Sequence, residues 1–189
     1  MKSVRRLGSE PAGVPLAADD LIEFHAARLL LLVALCGTKS KSEHVIRIEG
    51  LTKLAKLDFF VRYPEFFDRV SASLDASERS VTRGVESSMI RHHYGPWDQR
   101  YYEVIPFLEG IGMIKVTGNA KNGYAFALSD LGSQAAKKLQ ADAAFSNQVE
   151  QMKRVKKVLG AKNGTTLKNL VYKEFSAEVA ERTRGELIQ

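Results

Sequence analysis

The chain has 189 residues, enough for one domain with an appendage, and its 44% apolar content can fill a core of ordinary size. The net charge is +6 and the pI about 9.4, a surplus compatible with nucleic acid or an acidic partner without requiring either. A single cysteine, Cys36, rules out an internal disulfide, and the longest apolar stretch, Leu29 to Cys36, is too short for a membrane span of ~20 residues.

The basic start, Met1 to Arg6, is not followed by the apolar run of an export signal, so a cytoplasmic location is expected. Residues 1–17 contain Gly8, Pro11, Gly13 and Pro15 and read as a flexible N-terminal arm. Asp19 or Asp20 can cap a first helix that fills with apolar residues toward Cys36, as in the central helix of a small domain, and Gly37 stops it. Residues 38–44 read as a polar loop. A second helix is predicted from Glu49 to Arg62, with Leu51, Leu54, Leu57 and Val61 on one face and Lys53, Lys56 and Arg62 off it. Tyr63 is pushed out of helical geometry by Pro64, which opens a short helix with Phe66, Phe67 and Val70 inward. Residues 71–88 are rich in charge and serine and read as a mobile insertion.

Met89 to Tyr94 reads as a strand and Gly95-Pro96-Trp97 as a turn. Asp98 is placed to cap the next helix, whose stripe is Tyr101, Val104 or Ile105, Leu108 and Ile111. Pro106 removes one backbone bond from that helix and predicts a kink. Met113–Val116 and Gly123–Leu128 flank an Asn-Gly turn and predict a hairpin. Ser129-Asp130 starts a further helix with Leu131, Ala135, Ala136 and Leu139 inward. A helical tail then runs from Ala143 to Leu159, breaks over Gly160–Gly164, and resumes from Thr165 to Phe175 with Thr165 or Thr166 as cap. Helix, helix, strand, helix, hairpin is the order of a winged helix. The expected fold is therefore mainly α with a small β-hairpin: a winged-helix-like domain over 18–142 and a basic helical extension over 143–189.

Two segments carry a resemblance to a known family. They are the run Ile48 to Pro64, with Lys56-Leu57-Asp58-Phe59-Phe60 within it, and Ile90-Arg91-His92-His93-Tyr94-Gly95-Pro96-Trp97-Asp98 followed by the helix to Gly112. Over residues 20–175 the chain resembles the middle component of the ABC-three-component, or Lamassu-type, bacterial anti-phage systems. The resemblance implies a non-catalytic accessory subunit in antiviral defence. Such a subunit docks on an SMC-like ABC ATPase that works with an effector, often a nuclease, on foreign DNA.

The residues themselves offer no catalytic set, no metal ligands and no cofactor motif. His92 and His93 are adjacent in a strand and point to opposite faces, which does not suit one metal ion. Glu49, Asp58, Glu65, Glu86 and Asp98 fall at no spacing that singles out an acid–base pair. Gly160 to Thr166 lacks the lysine position of a phosphate loop. The helix over 99–111 carries Gln99, Arg100, Glu103 and Glu109 on its non-stripe face, and the hairpin loop adds only Lys121. That balance is poor for reading a DNA groove, so Trp97, Arg100, Glu103 and Glu109 are candidate protein-partner residues. Trp97, Tyr94, Tyr101 and Tyr102 form an aromatic cluster that suits either an interface or a core. The stretch Gln151–Lys173 contains no Asp or Glu. Within it Lys153, Arg154, Lys156, Lys157, Lys162 and Lys168 are candidates for contact with the backbone of double-stranded DNA or with an acidic surface of the ATPase. A winged-helix transcriptional regulator and an antitoxin-like masking module are the alternatives.

Overall fold

The computed structural model describes residues 21–40, 45–82, 84–85, 87–93, 95–119 and 123–188. It is mainly α-helical with two small antiparallel sheets. Helix α1 (Ile22–Cys36) ends at Gly37, whose backbone is extended. Glycine is needed there for close approach: a Cβ would strike the Val33 carbonyl and come within 2.7 Å of the Ile46 side chain. Strands β1 (Thr38–Lys39) and β2 (Ile46–Glu49) follow as an antiparallel pair, so the expected polar loop is partly a strand.

Helix α2 (Leu51–Arg62) is the center of the molecule, and every residue from Lys53 to Arg62 is buried. Lys53, Lys56 and Arg62, expected off the apolar face of an amphipathic helix, are buried as well. Helices pack on both sides of α2, so its charged side chains find partners inside. Helix α3 (Pro64–Ser73) follows with Phe66, Phe67 and Val70 inward. After it come β3 (Met89–His92) and β4 (Gly95–Trp97), paired Ile90 to Trp97 and His92 to Gly95. Gly95-Pro96-Trp97 is thus a strand rather than a turn. Pro96 is tolerated because β4 is an edge strand, where a missing N–H breaks no ladder.

Helix α4 (Tyr101–Gly110) contains Pro106 and buries Tyr101, Val104 and Leu108; Ile111, expected in the stripe, lies just past its end and is exposed. Strands β5 (Ile114–Asn119) and β6 (Gly123–Leu128) form the expected hairpin. Strand β2 pairs with β6, Ile48 opposite Phe126, giving a sheet of order β1-β2-β6-β5. In helix α5 (Asp130–Ala141), Ser129 Oγ accepts from Gly132 N at 2.9 Å, the expected cap. Leu131, expected inward, is half-exposed.

A short 3-10 turn (Ala143–Phe145) leads into α6 (Ser146–Leu159) and α7 (Gly164–Glu174). The cap of α7 is Asn163, whose Oδ1 accepts from Thr166 N at 2.8 Å, in place of Thr165 or Thr166. The last strand, β7 (Leu187–Ile188), joins β3 and β4 in the second sheet. Tyr63 locks this end to α2: its hydroxyl donates to the Ile188 carbonyl at 2.9 Å and accepts from Met89 N at 2.7 Å.

Met152, Val155, Leu167, Val171, Phe175 and Ile188 are fully buried in the same cluster as Leu31 and Phe60. The expected boundary at 142/143 therefore divides no core. Residues 74–88 are also tied down where they are described. Ser80 Oγ donates to the Pro64 carbonyl at 2.8 Å, Val81 N to Gln151 Oε1 at 3.2 Å, and Ser71 Oγ to the Glu78 carbonyl at 2.7 Å. The expected arm over 1–17, the Asp19 or Asp20 cap, Glu86, Tyr94 and Lys121 lie outside the described residues.

Candidate interaction surface

A buried charge cluster fixes where α4 stands. Arg28 Nε donates to Asp58 Oδ1 at 3.1 Å, and Arg62 Nη1 donates to Asp58 Oδ2 at 3.3 Å and to Asp98 Oδ2 at 2.7 Å. Tyr101 Oη donates to Asp58 Oδ2 at 2.7 Å, while Arg62 also donates to Ser87, to its carbonyl at 2.9 Å and its hydroxyl at 2.6 Å. Arg100 Nε donates to Asp98 Oδ1 at 2.9 Å, and Arg100 Nη1 lies 2.7 Å from His25 Nε2. Three segments far apart in sequence, at residues 25–28, 58–62 and 98–101, are thereby joined.

Charges taken out of water at this depth are stable only when paired and hydrogen-bonded. Burial pushes the Asp98 carboxyl up, but the Arg100 hydrogen bond and the Arg62 and Arg100 charges outweigh it and hold the pKa at about 2. Burial and the neighboring Asp58 charge push the Tyr101 hydroxyl well above its ordinary value. Asp98 also accepts from Arg100 N at 3.0 Å, which fixes the turn ahead of α4; the expected cap is not formed, because Arg100 stands at the cap position and no side chain caps the helix.

Of the expected partner-facing residues, Trp97 is 5% exposed and packs edge-on against Tyr101 and face-to-face with His92. It is core, as is Tyr101. The Arg100 guanidinium is drawn into the cluster rather than presented outward. Glu103 and Glu109 are exposed, and Glu109 Oε1 accepts from Val116 N at 2.9 Å, bracing α4 against the outer edge of β5. The most exposed aromatic residue of α4 is Tyr102, at 62%.

The basic residues of the tail separate in the same way. Lys156 Nζ donates to the Cys36 carbonyl at 3.0 Å and to the Gly37 carbonyl, closing the C-terminus of α1. Arg154 donates to the Arg79 carbonyl at 2.8 Å and pairs with Glu150 at 3.3 Å; Lys157 meets Glu78 at 2.5 Å, and Lys153 stands 3.8 Å from Glu150. Lys162 and Lys168 are half-buried. The run without acids in sequence is thus offset in space by Glu78 and Glu150.

Beside this surface lies an apolar groove of about 350 Å³ between α1, α4 and α5. Among the described residues no group of three His, Cys, Asp or Glu side chains could hold a metal ion, and no helix is long and apolar enough to cross a membrane. His92 and His93 set their rings 82° apart. The buried cluster left one sequence signal: Arg28 precedes Leu29-Leu30-Leu31-Leu32, and Asp58 sits between Leu57 and Phe59, so a charge in each helix falls among residues that must be buried. No family model, curated protein or solved structure matches this chain.

Proposed function

We propose that this chain is a winged-helix accessory subunit of a bacterial antiviral defense complex, docking without catalysis on an SMC-like ABC ATPase that works with an effector nuclease in the cytoplasm. The carrying observation is topological. A strand between the first two helices, β2, returns beside β6 of the hairpin that follows α4. That order supports the reading as a winged helix, on which β3, β4 and α3 would be an addition. The family resemblance of Ile48–Pro64 and Ile90–Asp98 supplies the partner.

A groove-reading role is disfavored. Helix α4 offers Tyr102, Glu103 and Glu109 outward, while its one arginine at the start, Arg100, is held at Asp98. The test starts from the gene neighborhood, where a coiled-coil ABC ATPase is expected and its absence removes the proposal, and continues with co-expression of this chain and that ATPase. Stoichiometric co-elution through ion exchange and size exclusion is expected. Separate elution at micromolar concentration, with both proteins folded, removes the proposal. A salt series on unrelated duplexes probes the tail, where steep, sequence-indifferent binding would instead favor backbone contact.

A further inference from the structure

We infer that the groove between α1, α4 and α5 is a receptor for a single amphipathic helix from another chain. That helix carries a basic side chain on one flank of its apolar stripe and an acidic side chain on the other. The inference deepens the reading as a docking subunit by naming where the partner binds, and its test does not involve the ATPase.

Three helical faces make the walls. Helix α1 contributes Ala26, Ala27 and Leu30, one ridge at spacings of three and four. Helix α4 and the turn after it contribute Phe107 and Ile111, and α5 contributes Ala135. Alanine on two of the three walls keeps the floor shallow in side chain, which lets another helix approach closely and lay its ridge into the groove. A loop or an extended strand would leave backbone N–H and C=O groups against these carbon walls without partners, whereas a helix satisfies its own. The volume of about 350 Å³ is suited to a short row of leucine-sized side chains. Ile111, an apolar residue of the lining, is 45% exposed.

Charge decides the flanks. Glu23 lies on the α1 wall and Lys138 on the α5 wall, and neither forms an ion pair among the described residues. A helix lying between them meets a negative charge on one side and a positive charge on the other. This is the arrangement by which flanking charges choose the partner and its direction in packed helices.

The test uses the full chain and a ~18-residue acetylated synthetic helix with leucines at helical spacing, lysines on one flank and glutamates on the other. Binding is read by fluorescence anisotropy. The second probe carries glutamates on both flanks of the same leucine stripe, because exchanging the flanks would only reverse the direction in which the helix lies. The matched helix is expected to bind severalfold more tightly than the glutamate-flanked one, and Ile111→Asp to weaken it about tenfold. In the single variant Glu23→Lys, which makes both walls positive, the preference should invert. Ile111 and both charges are at the surface, so these variants fold, which circular dichroism checks. Three results overturn the inference: no binding of either helix to the full chain, binding indifferent to Ile111→Asp, or a preference that ignores Glu23→Lys. A dimer that dissociates on Ile111→Asp in sedimentation also overturns it, because a second copy then fills the groove. Failure of the ATPase to co-elute, with the helix binding as expected, removes the proposed function alone.

Discussion

Lys56 gives a prediction whose magnitude follows from its surroundings. Its side chain is fully buried, and its Nζ donates to the Pro96 carbonyl at 2.8 Å. Burial, with a smaller contribution from the Arg91 charge, lowers its pKa from the ordinary 10.5 to about 7. The unfolded chain therefore holds a proton that the folded chain has lost between about pH 7 and about pH 10.5, so stability rises with pH through that window. The slope is about 1.4 kcal/mol per pH unit, or about 3 kcal/mol from about pH 7 to about pH 9. Below about pH 7 both states are protonated, and burying the ammonium costs about 5 kcal/mol. Lys56→Met removes that cost and leaves the Pro96 carbonyl without its donor, a loss of about 1–3 kcal/mol. The variant should be about 2–4 kcal/mol more stable than the natural chain at about pH 6 and close to equal at about pH 9. Urea denaturation of both chains across this range, followed by far-UV circular dichroism, measures the difference. Parallel stability curves from about pH 6 to about pH 9 would refute the reasoning, since the ammonium would then be solvated in the folded state.

The buried cluster makes its own predictions. Asp58→Ala leaves Arg28, Arg62 and Tyr101 without a shared acceptor and should destabilize by about 3–5 kcal/mol in denaturant melts; a change under about 1 kcal/mol would mean that the pairs are solvated. Asp98, held at about 2 against an ordinary 3.8, contributes stability above about pH 4 that is lost as pH falls toward about 2, an effect of about 2 kcal/mol that Asp98→Asn should remove from an acid titration. Gly132→Ala should destabilize strongly, by more than about 2 kcal/mol, because the new Cβ meets the Met113 carbonyl as α5 crosses it; an unchanged melting temperature would place α5 further from the hairpin. Cys36, whose thiol burial raises to about 12, should react with a thiol reagent only on unfolding, and fast labeling of the native chain would contradict its position beneath α6.

Much of the local structure was legible in the chain itself. Apolar spacing marked α2, the Tyr63-Pro64 boundary marked α3, and two strand-like runs around Gly123 marked the β5–β6 hairpin, because each depends on neighbors within a few residues. Ser129 as cap and Gly37 as terminator are equally local. What the sequence could not decide was which charges go inside. Lys53, Lys56 and Arg62 look like the solvated side of a helix, yet segments 25 or more residues away close over α2 and supply Gly160, Pro96 and Ser87 as acceptors. The same folding-back turned Lys153, Arg154, Lys156 and Lys157 of the tail into a helix cap and ion pairs, and drew Trp97 and Arg100 away from the surface expected of them. A side chain's solvent and its counter-charge are properties of what packs on it. For this chain those partners come from distant segments, so only the tertiary structure assigned them.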